Sequence, residues 1–309
     1  MITEALRHCP GIGPTRLKRL HDQGIRTWHD VLSRPHDVPA GLRESLTIEC
    51  RGAVEALDRS DISWFVDRLH VQDRWRILSQ FHDDATCFDI ETTGLEHDAE
   101  ISVIVCWHRG QLHHFVEHEN LDDFLDLLDD VRLLVSFNGS TFDVPRVLDS
   151  FHIPSLPCPH IDIRWSCYHR GLTGSLKQIT DRLGFRRPSD LRYADGELAV
   201  LLWNDWLRSR NPRSREMLLR YCGADVVLLK LLMRHLAVAR VPQDGGVWAV
   251  LDSMRSENPV AASILQSETR DPVSGASDQH SQVAADRVDA ASPKRGEPSL
   301  LRMLKNRKR

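Results

Sequence analysis

Apolar positions change their period several times along the chain. Over the first sixty residues they recur every three or four positions in the short segments TEALRHC, PTRLKRLHDQ and GIRTWHDVLSRP, which the turn PGIG and Gly24 separate. Short helices joined by tight turns are predicted there. The stretch AVEALDRSDISWFVDRLH at 53–70 keeps the helical period, with Asp61 and Ser63 as candidate caps. From about 75 strand and helix patterns alternate. ATCFDIET, EISVIVCWHRG and GQLHHFVEHE are rich in apolar and β-branched residues, and the last two flank an Arg109-Gly110 turn, so three antiparallel strands are expected. LDDFLDLLDD at 121–130 reads as an amphipathic helix with an acidic outer face, VRLLVSFNG as a buried strand ending on Asn138-Gly139, and the residues from Phe142 as a helix. HIDIRWSC at 160–167 reads as the last strand. SLKQITDRLGF, ELAVLLWNDWLRSR and REMLLRYCGADVVLLKLLMRHLAVA then return to the helical period. The order predicts an α/β fold in which a mixed sheet carries helices on its faces.

After 252 the chain turns to Ser, Ala, Asp, Gln and Pro, too poor in apolar residues to bury a core, and disorder is expected over 252–298. The end, SLLRMLKNRKR, combines Leu300, Leu301 and Leu304 with basic groups. It fits a short helix on a partner or on nucleic acid as well as it fits a solvated tail. Three parts result: 1–60, 75–240 and 252–309.

At 309 residues, 41% hydrophobic and 27% charged, the chain can bury one large core and a small module. No apolar run approaches the roughly 18 residues of a membrane span, and the start MITEALRHCPGIG lacks the pattern of a secretory signal. A cytoplasmic location is expected. The seven cysteines are odd in number and never form a CxxC pair, which argues against disulfides and zinc knuckles. A net charge of -4 gives no global attraction to nucleic acid. Local basic groups do occur, at Arg7, Arg16, Lys18, Arg19 and Arg26 and again at Lys305, Arg307, Lys308 and Arg309. The histidines His108, His113, His114 and His118 read as surface strand residues without metal-ligand spacing.

Asp89 and Glu91 stand two apart on a predicted strand and therefore share a face. Like charges so close repel, and a divalent cation would make the arrangement favourable. A solvent-facing strand end or a turn cap is the plainer alternative. Asp143 follows a buried strand at the start of a helix, where sites in α/β sheets gather but where helix caps are common too. Tyr221 and Asp225, at i and i+4 among Leu218, Leu219, Val226, Leu228 and Leu229, share the face of a mostly buried helix, and a buried Asp needs a charge partner.

FDIETTGL, SFNGSTFD and YCGAD, in that order, resemble the three exonuclease motifs of the DEDD superfamily in its tyrosine form. The agreement is closest with the YprB-type RNase H-like domain family, which also has counterparts of HIDIRW and SLKQITDRLGF, and it covers about 84–236. The resemblance implies an RNase H-like fold, 3′-5′ exonuclease-type hydrolysis of phosphodiesters, and two Mg²⁺ or Mn²⁺ ions roughly 3.5–4 Å apart. It assigns Asp89 to both ions, Glu91 and Asp225 to the ion on the nucleophile side and Asp143 to the other, with Tyr221 orienting the attacking water. Oxygen ligands suit such hard cations. Thr92, Thr93, Gly94 and Leu95 would hold the terminal nucleotide, and Asn138 the backbone of the scissile strand.

LRHCPGIGPTRLKRL fits the helix-hairpin-helix pattern, with Leu17 where that family usually has a small residue. Gly11, Ile12, Gly13, Thr15, Arg16 and Lys18 would meet a DNA backbone at the hairpin and the free N–H groups of the second helix. A plain helical hairpin or a protein-docking module is the alternative. The leading expectation is a nuclease acting on DNA in preference to RNA, at single strands or 3′ ends. The competing ones are a structure-specific endonuclease and a catalytically idle nucleic-acid-binding adaptor whose basic tail recruits a protein partner.

Overall fold

The computed structural model describes residues 1–94, 96, 99–192, 194–238 and 246–254. The predicted contact residue Leu95, and the tail from 255 onward, lie outside the described residues.

Eight strand residues, β1 (Ala85–Thr92), sit at the centre of a five-stranded sheet. β2 (Ile101–His108) pairs antiparallel with β1 and with β3 (Gln111–Val116), whereas β4 (Leu133–Ser136) lies parallel to β1, and the three-residue β5 (His160–Asp162) lies parallel to β4. The order is β3-β2-β1-β4-β5, the mixed sheet that the alternating pattern predicts and the RNase H-like arrangement that the resemblance implies. One face packs Phe88, Ile90, Ile104, Cys106 and Phe115 against Phe124, Leu128 and Val147.

The N-terminal part is helical: α1 (Pro14–Asp22), α2 (Trp28–Ser33), α3 (Ala40–Asp58), α4 (Ile62–Arg68) and α5 (Trp75–Phe81). Within the sheet region follow α6 (Asp123–Asp129), α7 (Asp143–Phe151), α8 (Ile163–His169), α9 (Leu176–Arg182), α10 (Gly196–Ser209) and the 27-residue α11 (Pro212–Val238). A 3-10 segment, Val247–Met254, closes the described chain. No helix among the described residues is long and apolar enough to cross a membrane.

Helix α11 covers the sheet face opposite Phe88 and Ile90, lying along β1 and β2. Cys87 on β1 reaches Met233 on α11 at 3.9 Å between sulfurs. Gly223 lets the 3-10 segment come close, since a Cβ there would sit 2.8 Å from Met254 Sδ and 3.1 Å from Leu251 Cδ2. The buried Leu251 and Met254 thus extend ordered packing to 254, past the expected start of disorder at 252.

Other differences have local causes. TEALRHC forms only a 3-10 turn at Ile2–Glu4, because Pro10 disfavours helix at Cys9 and the segment is too short to propagate. The helical stretch expected at 53–70 breaks at Ser60, whose φ of 53° is left-handed, and Asp61 caps the next helix through Trp64 N at 3.0 Å. HIDIRWSC is strand only as far as Asp162. Its remainder is α8, which buries Ile163, Ser166 and Cys167 at helical spacing. His108 is no surface residue: it is 9% exposed and shares a 2.7 Å hydrogen bond with Thr86 Oγ1.

The N-terminal helices belong to the same compact unit as the sheet, Met1–Arg255. Trp28 anchors them by donating to Ala5 O at 2.9 Å and stacking on Phe65 at 6.0 Å. Arg76 on α5 ties the chain start to this frame through Glu4 at 2.6 Å, and α5 packs on α11.

Candidate active site

Strand alternation on β1 sends Phe88 and Ile90 into the apolar core and turns Cys87, Asp89 and Glu91 toward α11. Ligand atoms of Asp89, Glu91 and the α11 residue Cys222 lie within 4.8 Å of one another. The Cys222 thiol donates to Asp89, with Sγ 3.6 Å from its carbonyl oxygen and 3.8 Å from Oδ2. Burial pushes that thiol well up, helped by Asp89 and Glu91, so Cys222 stays a neutral donor.

Asp143, the first residue of α7, is 4% exposed. It stands outside the tight set formed by Asp89, Glu91 and Cys222, yet it feels the Asp89 charge. Burial pushes Asp89 up to about 6 against the pull of Arg187 and Lys177. Glu91 rises well above the usual carboxylate range through burial and then through the Asp89 charge; Asp143 does so through burial and the same neighbour. Three half-buried or buried acids, two of them raised further by the Asp89 charge, make a donor set fitted to a hard divalent cation.

Tyr221 and Asp225 share one face of α11 but take different partners. Arg187, in the loop after α9, donates to Asp225 Oδ1 and to Ala194 O at 3.3 Å, and lies 4.8 Å from the Tyr221 ring centre. Its Nε has no partner among the described residues. Lys177 on α9 donates to Tyr221 Oη at 3.1 Å and to Ala194 O at 3.2 Å. Burial brings Lys177 down to about 8, with Arg187 adding to the effect, and burial raises Tyr221, which remains a neutral phenol. Sequence reasoning missed Lys177 and Arg187: the helical period of SLKQITDRLGF and the loop after it do not reveal that either cation turns toward α11.

Asp162 was missed as well. It ends β5, caps α8 by accepting from Arg164 N at 3.0 Å, and accepts from Asn138 N at 2.8 Å and Ser140 N at 3.2 Å. An Asp directly before a helical run is the signal that could have found it. These bonds hold the turn leading to Asp143, in which Asn138 takes a left-handed φ of 70°. Gly139 has no room for a side chain: a Cβ would fall 2.1 Å from Ser136 Oγ and 2.5 Å from Ser136 Cβ. Gly139→Ala is therefore expected to cost about 1–3 kcal/mol and to move Asp143; a melting temperature and turnover both equal to wild type would contradict this.

The remaining predicted contacts are placed as follows. Thr92 is buried and donates to Gly94 O at 2.7 Å, shaping the loop from within. Thr93 bonds Glu100 through its amide at 2.9 Å and through its hydroxyl at 3.2 Å. At the chain start Gly11, Gly13, Thr15, Arg16 and Lys18 are exposed, while the Ile12 side chain is buried and can offer only its backbone. Arg16 closes the hairpin on Gly11 O at 2.9 Å.

No curated protein matches the chain. Among solved structures, the family B DNA polymerase from the hyperthermophilic archaeon Pyrobaculum calidifontis is similar over 52% of this chain at 16% identity, with a TM-score of 0.38. The match spans 27% of that polymerase chain. Residues 86–237 match a family model described as the RNase_H superfamily, a range that holds β2–β5, all but one residue each of β1 and α11, and every acid of the candidate site. Over that range the chain carries an RNase_H superfamily domain.

Proposed function

We propose that this protein is a divalent-metal-dependent nuclease that removes nucleotides from 3′ ends, acting on DNA in preference to RNA. The observation that carries the reading is the meeting of Asp89 and Glu91 from β1 with α11, beside the buried Asp143. Asp89, Glu91, Asp143 and Asp225 would hold Mg²⁺ or Mn²⁺. Such ions supply a nucleophile at neutral pH and offset the charge that develops on the leaving oxygen.

The chain's own groups do the positioning. Tyr221 is a neutral phenol whose oxygen already accepts from Lys177, so its O–H can orient a water and does not remove a proton from it. Lys177 and Arg187 place positive charge where a phosphodiester would lie. Asn138, fixed by Asp162, offers a backbone clamp for the scissile strand.

The reading extends to residues 1–60 as a DNA-backbone module. Gly13 caps α1 in extended conformation without a side-chain cap bond, so beyond Pro14, which has no N–H, the first amides of that helix are free of a capping side chain. Because this part packs into the same unit as the sheet, a point substitution is a cleaner probe than deletion. Lys18→Glu should weaken duplex binding about equally for all sequences and lower the slope of log affinity against log salt by about 0.9. An unchanged slope would rule Lys18 out as a phosphate contact.

Incubation of the full chain with end-labelled single-stranded DNA, duplex DNA and RNA in Mg²⁺ or Mn²⁺ tests the function. A ladder shortening from the 3′ end is expected; an internal cut would mean an endonuclease. The Arg187–Asp225 pair favours one second reading, an idle binding protein in which Arg187 has taken over Asp225. Binding without any hydrolysis would establish it.

A further inference from the structure

Helix α8 has an outer face of unusual chemistry. Its inner positions Ile163, Ser166 and Cys167 are buried, so Arg164, Trp165, Tyr168 and His169 form one exposed stripe. Water-facing stripes ordinarily carry charged and small polar residues. Here Trp165 is 47% and Tyr168 59% exposed. The rings follow one another, Trp165 to Tyr168 at 6.3 Å and Tyr168 to His169 at 5.3 Å between centres. About half of each of Trp165 and Tyr168 stays open to solvent.

Beside the stripe lies a cavity of about 520 Å³, lined by Phe137, Asn138, Arg164, Tyr168, Leu172 and the turn Thr173–Leu176. No lining residue is acidic, although the chain as a whole is net negative. Arg164 supplies the positive charge and holds the Asn138 side chain. Asn138 in turn opens the turn that ends at Asp143, so the cavity adjoins the segment that carries one acid of the candidate active site. Gly174, also in the lining, takes φ +121°, a backbone conformation that suits glycine.

We infer that the α8 stripe and this cavity form a platform for a single-stranded segment of nucleic acid, two or three nucleotides beyond the bond that lies at the carboxylates. The inference rests on the nuclease reading for the position of that bond. Exposed rings take the π-faces of unstacked bases, and an acid-free cavity with an arginine takes the intervening phosphates. A duplex, whose bases are already stacked, cannot use the rings.

The test measures binding of a fluorescein-labelled twelve-nucleotide oligothymidylate to the full chain in EDTA, where hydrolysis does not interfere. Each lost stack weakens binding roughly 5- to 100-fold, so Trp165→Ala/Tyr168→Ala is expected to bind at least about tenfold more weakly. Trp165→Phe/Tyr168→Phe, which keeps two rings, should stay close to wild type. Thymidine 5′-p-nitrophenyl phosphate, which reaches no further than the carboxylates, should be hydrolysed in Mn²⁺ equally by all three proteins. Unchanged oligothymidylate affinity in the alanine variant overturns the platform, even if the nuclease is active. So does a wild type that ignores single strands and binds only duplex or a protein. If affinity falls as expected while wild type hydrolyses neither substrate, the platform stands and the nuclease reading falls.

Discussion

The Asp89→Asn protein is expected to lose at least about 10³-fold of metal-dependent hydrolysis, because the neutral amide removes the charge nearest both Glu91 and Cys222 and with it several kcal/mol of ion binding and transition-state stabilisation. Its fold should be at least as stable. The folded-state pKa of Asp89 lies at about 6, above its ordinary 3.8, and Glu91 and Asp143 move in the same direction. Acids with raised values bind protons more tightly when folded. Their contribution is therefore fully present below about pH 4 and is lost as the pH rises through 6 and above. At pH 7.5 without metal the charged Asp89 is a burden of up to roughly 3 kcal/mol, which the amide of the variant does not carry. Thermal melts should show the metal-free wild type losing stability from pH 4 to pH 8 and regaining it with Mn²⁺ at the upper end. Asp89→Asn should show a smaller gain. Wild-type turnover in the variant, or a wild-type melt indifferent to Mn²⁺ at pH 7.5, would sink the carboxylate site.

Arg187→Ala should be the most destabilising single change near the site. Its guanidinium is the charge partner of Asp225, and the two side chains are 4% and 11% exposed. Breaking a buried pair from one side leaves a buried charge uncompensated, at about 3–5 kcal/mol, which for a unit of this size lowers the melting temperature by about 10 °C. Tyr221 also loses the cation over its ring. The double variant Arg187→Ala/Asp225→Asn should recover much of the loss, since an amide needs no countercharge. A double variant as unstable as the two single losses added together would mean that Arg187 acts through packing alone.

Much of this arrangement was readable in advance, and the unread part has a common cause. The apolar and β-branched runs of β1, β2 and β4 announce buried strands, and strand parity alone puts Asp89 and Glu91 on one face. The i, i+4 spacing does the same for Tyr221 and Asp225 on α11. What local pattern cannot carry is the choice of partner. Cys222 reads as one more small apolar residue of a buried helix until the fold sets it against a residue 133 positions away. Arg187, in LGFRRPSD, has the look of a surface cation because no periodicity marks that loop as turning inward. The end of β5 was lost for a different reason. IDIRW has strand-like composition, and only its packing reveals that Ile163 and Cys167 point the same way. Asp162, the last strand residue, is then also the clamp of the Asn138 turn.

That same separation between β1 and the middle of α11 sets an order in time. Asp89 meets Cys222 only after the chain has closed a loop spanning most of the domain, and closures of that length are among the last and slowest contacts a chain makes. Before then the acids are spread along a flexible polymer. A chain still emerging during synthesis, or one that has collapsed without seating α11, holds the motifs but not the site, and so the proposed activity would arise only once α11 is seated against β1.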